Sequence, residues 1–275
     1  MATVIETPSH SELRPDLLSG TPRAQAIDRW IFVIMAAWFI AIVFAGFIPD
    51  SLMKIGLIQT GQRLPFPPIL HFHAVLMGSF LLLLLTQSVL MATGNSAQHM
   101  RLGLVAMVLA PALIIAGFIV APTMYHMLWD AAQAAPAGKR AELQHQLNNR
   151  ENILLIQIRI GILFALFIAI ALRARGHDGG LHKRMMFLAT AMTLPAAFDR
   201  IPWLPSTMPS SPTGPELYTL LAISPMLIWD VARNRRLHSA YVIWLAVNVP
   251  AAIVVHGLWN TPWWHQTARQ IMGVG

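Results

Sequence analysis

The sequence contains no cysteine. That absence excludes disulfides, thiolate metal sites, iron–sulfur clusters and cysteine nucleophiles together. It leaves eleven histidines and fifteen methionines as the soft or borderline ligands. Charge is scarce as well. Only 11% of the 275 residues are charged and 56% are hydrophobic, whereas an ordinary soluble domain carries roughly 25% charged residues. A soluble core of this size could not bury so much apolar surface, so lipid is the expected solvent for most of the chain. Several motifs are missing too. No Gly-x-Gly-x-x-Gly or Walker-type loop is present, which argues against nucleotide chemistry. There is no His-Glu-x-x-His and no Gly-x-Ser-x-Gly. The last apolar run has no lysine, so a retinal Schiff base is excluded.

What is present is a series of apolar runs. Seven of them, near 30–48, 69–92, 101–122, 152–174, 183–200, 215–231 and 239–260, are long enough to span ~30 Å of hydrocarbon at ~1.5 Å per residue. The expected fold is all-α, a polytopic membrane bundle of about seven transmembrane helices over residues 30–260. A mobile polar tail precedes it over 1–29, and a short interfacial tail follows over 261–275. The first 29 residues lack a cleavable signal pattern, so the first helix is expected to act as an uncleaved anchor. With the N-terminus inside, eleven Lys and Arg fall on inner segments and seven on outer ones. The dense clusters 173–184 and 233–236 are both inner, which gives an N-in, C-out topology in a bacterial inner membrane. The net charge of +7 then marks orientation rather than nucleic-acid binding, since no basic stripe with interleaved aromatics occurs.

An internal repeat accompanies this layout. His99, His182 and His238 lie at the ends of inner loops, and Pro111, Pro195 and Pro250 follow them by 12, 13 and 12 residues. The pattern reads as three related hairpins after one extra helix. The inner histidines serve either as interfacial anchors for lipid headgroups or as a second site. A permanent positive charge on them is disfavoured by the helix dipole at helix starts.

The candidate site lies in the outer half. His73 shares a helical face with Met77, Phe80 and Gln87, while His71 points about 200° away at ~100° per residue. His126 closes the third run, and His256 shares a face with Asn248 and Asn260. Imidazole suits iron, copper and zinc, and bundles build cofactor sites from facing helices. The metal candidates are therefore His71, His73, His126 and His256, and the cofactor-binding candidates are His73, His256 and Arg159. The cofactor in view is haem b or a transition metal, iron or copper. The bland alternative is half-wet interfacial histidines bonded to backbone or headgroups. Arg159 lies about two turns inside the fourth run, where a charge costs roughly 2.5–3.5 kcal/mol and calls for a partner. Glu151, Asp199 and Glu216 are the available counter-charges, and an anionic ligand group is the functional alternative.

The stretch His71-Phe72-His73-Ala74 through Gln87-Ser88-Val89-Leu90, then His99-Met100-Arg101-Leu102-Gly103, is similar to a pattern in uncharacterised bacterial multi-helix membrane proteins. It resembles the DUF2306-type family and, more loosely, cytochrome b561-like bundles, over about residues 45–200. The first resemblance implies no activity. The second implies b-type haems held between paired histidines, with His73, His99, His182 and His256 as candidates, and electron transfer across the membrane. The expected function is a membrane-embedded redox or metal/haem-cofactor protein. The competing classes are a non-catalytic accessory subunit of a larger membrane complex and a carrier or sensor for a small hydrophobic ligand. The partners expected are the lipid bilayer and other membrane proteins, not nucleic acid.

Overall fold

The computed structural model describes residues 15–19, 21 and 23–274. Among them there is no strand. The helices are α1 (Ala26–Gln59), α2 (Pro68–Ala92), α3 (Ser96–Ala134), α4 (Ala137–Ala174), α5 (Gly179–Ala191), the single turn α6 (Pro195–Phe198), α7 (Thr213–Asn234), α8 (Ser239–Leu258) and α9 (Pro262–Ile271). Five of these, α1, α2, α3, α4 and α8, are long and apolar enough to cross a membrane. The chain is thus an all-α, multi-pass membrane bundle, and its apolar lipid-facing side chains belong against the bilayer.

Local chemistry sets the helix ends. Pro68 and Pro262 occupy first-turn positions, where the missing N–H is no loss. The Asp178 carboxylate accepts the Leu181 N–H at 2.8 Å to start α5, and His238 Nδ1 accepts the Ala240 N–H at 3.1 Å to start α8. Arg235, at φ 54°, ends α7 in the left-handed conformation.

Three segments depart from the expected boundaries. The run expected as one helix over 183–200 stops at Ala191, turns through 192–194 and resumes as α6. Pro195 cannot donate to the carbonyl four residues back, and its ring crowds that turn. The third and fourth runs continue well past the hydrocarbon. α3 has 39 residues, about 58 Å at the helical rise, so its end and the start of α4 project as a paired extension. Finally, the segment expected as a tail over 261–275 forms α9. It packs on α4 and buries Trp264, whose indole N–H donates to the Glu151 carbonyl oxygen at 2.8 Å.

The main core fully encloses Phe39, Phe167, Met185, Leu188 and Met226, and a second, smaller apolar cluster around Tyr125, Leu147 and Trp264 joins α3, α4 and α9. α1 and α6 cross so closely at Gly46 that any Cβ there would collide with the Ala197 backbone.

The end of the bundle that carries the start of α1 is tied by buried charges. Arg184 is fully enclosed. Its guanidinium donates to Asp16 at 2.8 and 3.0 Å, to Asp230 through Nη2 at 2.8 Å and through Nε, and to the Gly180 carbonyl at 3.1 Å. Asp28, also enclosed, accepts from Arg233 at 2.9–3.1 Å and from the Trp229 indole at 2.8 Å. Residues 1–14 of the tail expected over 1–29 lie outside the described residues. Its later part is built into the fold, since Leu18 is 5% exposed and Asp16 also pairs with Lys183. Burial works against ionising the Asp16 carboxyl, but the Arg184 hydrogen bonds outweigh it and hold the group well below the usual carboxylate range.

Candidate functional sites

The five expected site residues divide between two cavities. The larger, about 1070 Å³, lies between α1, α2, α3 and α4, with contributions from α6 and the last turn of α9. His71, His73 and His126 line it, as do Met77, Gly117 and Phe164. His73 is half-buried, and its Nδ1 is enclosed with no hydrogen-bond partner among the described residues. Its ring rests near Gly117, where an added Cβ would stand 3.6 Å from the imidazole. One end of this cavity is strongly basic. Lys54, Arg63, Arg150 and Arg200 line it against a single acid, Asp50. Asp50 is already engaged by Lys54 at 2.5 Å and Arg200 at 3.5 Å. Arg63 lies over the Phe66 ring and Arg200 over Phe47, at 5.7 and 5.0 Å from the ring centroids. Neither Arg63 nor Arg150 has a carboxylate partner among the described residues. The remaining wall is mainly apolar, interrupted by the three histidines and Gln157, and opens toward lipid through exposed Phe44, Ile48, Leu82 and Phe118.

The smaller cavity, about 570 Å³, lies between α4, α7 and α8. Here Arg159 and His256 do meet, through Glu216. Arg159 Nη1 donates to Glu216 Oε1, and His256 Nε2 lies 2.9 Å from Glu216 Oε2. Of the three counter-charges expected for Arg159, Glu216 is the partner. Glu151 instead faces α9, accepting from Tyr125 at 3.1 Å, His265 at 2.6 Å and Arg269 at 2.8 Å. Asn152, on the same face as Arg159, accepts the Asn260 N–H at 3.0 Å and so fixes the left-handed turn, φ 58°, between α8 and α9.

A single ion held by His73 and His256 is therefore not what the fold builds. α2 packs chiefly on α1 and α3, whereas α8 packs on α5 and α4, and the two cavities share no lining residue. Of the wider metal set, His71, His73 and His126 line the larger cavity together, and His256 lines the smaller one. Among the described residues no three His, Asp or Glu side chains converge as metal ligands. Helical spacing gives each imidazole an azimuth on its own helix, but the helix neighbours decide which azimuths face one another.

At the end of the bundle that carries the start of α1, His99 and His182 come together with ring centroids 6.4 Å apart, and His182 Nδ1 lies 2.8 Å from the Ala171 carbonyl. His238 is elsewhere, capping α8 beside Gly180. The polar groups that sequence reasoning left unassigned are Arg63, Arg150 and Arg200 as one cationic cluster. They come from two separate loops and one helix, α4, so no spacing rule links them. No protein-family model, curated protein or solved structure matches the chain.

Proposed function

We propose that this protein binds an anionic amphiphile inside the membrane. The apolar body would occupy the cavity between α1 and α4, and the carboxylate or phosphate would sit at Arg63, Arg150 and Arg200. The observation that carries this reading is the charge imbalance, four bases against one acid at one end of an otherwise mainly apolar, lipid-facing cavity. Desolvated guanidinium groups without carboxylates are costly unless an anion completes them. Arginine is suited to that role because its planar fork matches carboxylate and phosphate. The chain is taken to lie in a bacterial inner membrane with the N-terminus cytoplasmic, which puts the basic end at the outer leaflet. Like charges that crowd one another in the empty site would be relieved by the ligand, so binding should also stabilise the fold.

Haem b is one molecule of this chemical class, with an apolar macrocycle and two carboxylates. The unpartnered Nδ1 of His73 within the same cavity favours it as a specific occupant. His73 would then supply an imidazole to the iron, and the arginines would receive the carboxylates. When bound, the group would supply one-electron redox chemistry.

The test is a binding titration of the purified protein in nanodiscs with a fluorescent long-chain fatty acid and the matching alcohol. The acid should bind at least tenfold more tightly, and that preference should vanish in the Arg63→Gln/Arg150→Gln double variant. Equal binding of acid and alcohol by the unaltered protein would refute the proposal. An absorption spectrum of the protein purified from its membrane separates haem, with a Soret band lost in His73→Ala, from a colourless lipid-like anion.

A further inference from the structure

The second cavity, between α4, α7 and α8, has a different chemistry. Arg159 and Glu216 form an ion pair along its wall, so the site offers no net charge for an anion to meet. Two of its polar atoms are nevertheless left over. Arg159 Nε and Asn248 Oδ1 are each enclosed and lack a hydrogen-bond partner among the described residues, and their side chains belong to residues only 8% and 9% exposed. One is a donor and the other an acceptor. Leaving either unmet in an apolar setting costs about 1–3 kcal/mol. Both residues line the cavity. The cavity's other wall reaches the lipid-facing surface through Leu245, Val249 and Ile253, which are 39%, 47% and 66% exposed.

These features converge on one kind of occupant. It must be lipid-soluble, because the opening faces the membrane plane. It must be neutral, because the charges present already cancel. It must carry an oxygen that can accept from Arg159 Nε and a hydroxyl that can donate to Asn248 Oδ1. We propose that this cavity is a second, independent binding site for a neutral lipophilic hydroxyl compound of the quinol class, admitted sideways from the bilayer. His256 at the rim, hydrogen-bonded to Glu216, gives the occupied site a neighbouring imidazole–carboxylate pair. Such a pair is suited to hydrogen-bonding a phenolic hydroxyl. The proposal does not depend on what fills the larger cavity, because no residue lines both.

The experiment is equilibrium binding of a decyl-substituted benzoquinol and benzoquinone to the protein in nanodiscs, with decylbenzene as the oxygen-free control. The quinol should bind at least tenfold more tightly than decylbenzene, and the quinone, which has no hydroxyl for Asn248, should bind less tightly than the quinol. Asn248→Leu removes the acceptor and should weaken quinol binding about tenfold, equivalent to ~1.4 kcal/mol. Ile253→Trp, on the lipid-facing mouth, leaves the core untouched and should obstruct access, so it tests the site even if Asn248→Leu folds poorly. Arg63→Gln/Arg150→Gln should leave quinol binding unchanged, which separates failure here from failure of the anion site. Binding of decylbenzene as tight as that of the quinol would overturn the proposal. So would unaltered quinol binding in Ile253→Trp.

Discussion

Replacing Arg184 with Met should unfasten the end of the bundle where α5 and α7 meet residues 16–18. The side chain is fully enclosed and serves two carboxylates at once, Asp230 with no exposure and Asp16 with 16%. Met fills similar volume, so the cavity contribution is small and the loss is electrostatic. Asp230 would keep only Asn234, whose amide donates to it at 2.7 Å. Removing one partner of a buried pair costs about 3–5 kcal/mol because the other charge is left uncompensated. For a chain of this size that corresponds to a fall in melting temperature of about 6–20 °C. The assay is thermal unfolding in detergent, followed by intrinsic fluorescence, with Arg173→Met as the control because Arg173 is exposed. Asp16→Asn should cost less than Arg184→Met, since Asp230 still neutralises the arginine. The double variant Arg184→Met/Asp230→Asn should recover part of the loss. If Arg184→Met melts within 2 °C of the Arg173→Met control, about 1 kcal/mol or less on that scale, the network contributes no net stability and the reasoning fails.

Further outcomes follow from other parts of the fold. Gly46→Ala should lower stability by about 1–3 kcal/mol through overpacking against Ala197, seen as a lower melting temperature, whereas Gly78→Ala, with open space around it, should not. His238 is depressed below 6.5, first by burial and then by the Arg184 charge, so the folded protein keeps the ring neutral. The unfolded chain then takes up the proton first, and stability should fall as pH drops through about 6.5 and hold above it. His238→Asn, which retains an acceptor for the cap, should lessen that difference between melts at about pH 8 and about pH 5.5. Glu151→Gln should loosen α9 by weakening the Arg269 and His265 bonds, read as faster hydrogen exchange over 262–272 than in the unaltered protein. Cysteines placed at Gly176 and Gln270 of this cysteine-free chain should label from opposite sides of intact cells, and labelling from one side only would reject the N-in, C-out topology.

The bundle was legible because lipid imposes long apolar runs, although the run over 183–200 is broken into α5 and α6 and five helices among the described residues are long and apolar enough to cross a membrane. The need of Arg159 for an anionic partner was legible for the same reason, since a charge at that depth cannot stay unpaired, but the sequence left open a ligand or any of three carboxylates, of which the fold supplies Glu216. What could not be read was anything set by helix azimuth and neighbour choice. His73 and His256 each looked like half of a site, yet they look into separate cavities. Glu151 looked like a partner for Arg159, but α9 claims it. α9 itself has polar and aromatic residues at a spacing too short to stand out beside membrane spans. Asp16 and Asp28 sat in a segment whose composition suggested only solvent, because nothing local reveals that Arg184 and Arg233 will be waiting for them.

The docking of α9 has a thermodynamic corollary. Its last residues, Ile271 and the adjoining Met272, form part of the wall of the larger cavity, while Arg269 and His265 hold it to Glu151 on α4. Peeling the helix away would dismantle the wall, so a molecule that touches the wall must make peeling harder. By reciprocity, the free energy by which a ligand in that cavity would disfavour the opening of α9 equals the free energy by which a docked α9 would tighten that ligand. Under the proposed function the C-terminal helix would report cavity occupancy, and weakening the Glu151 clasp would adjust affinity from a distance without altering any group that contacts the ligand.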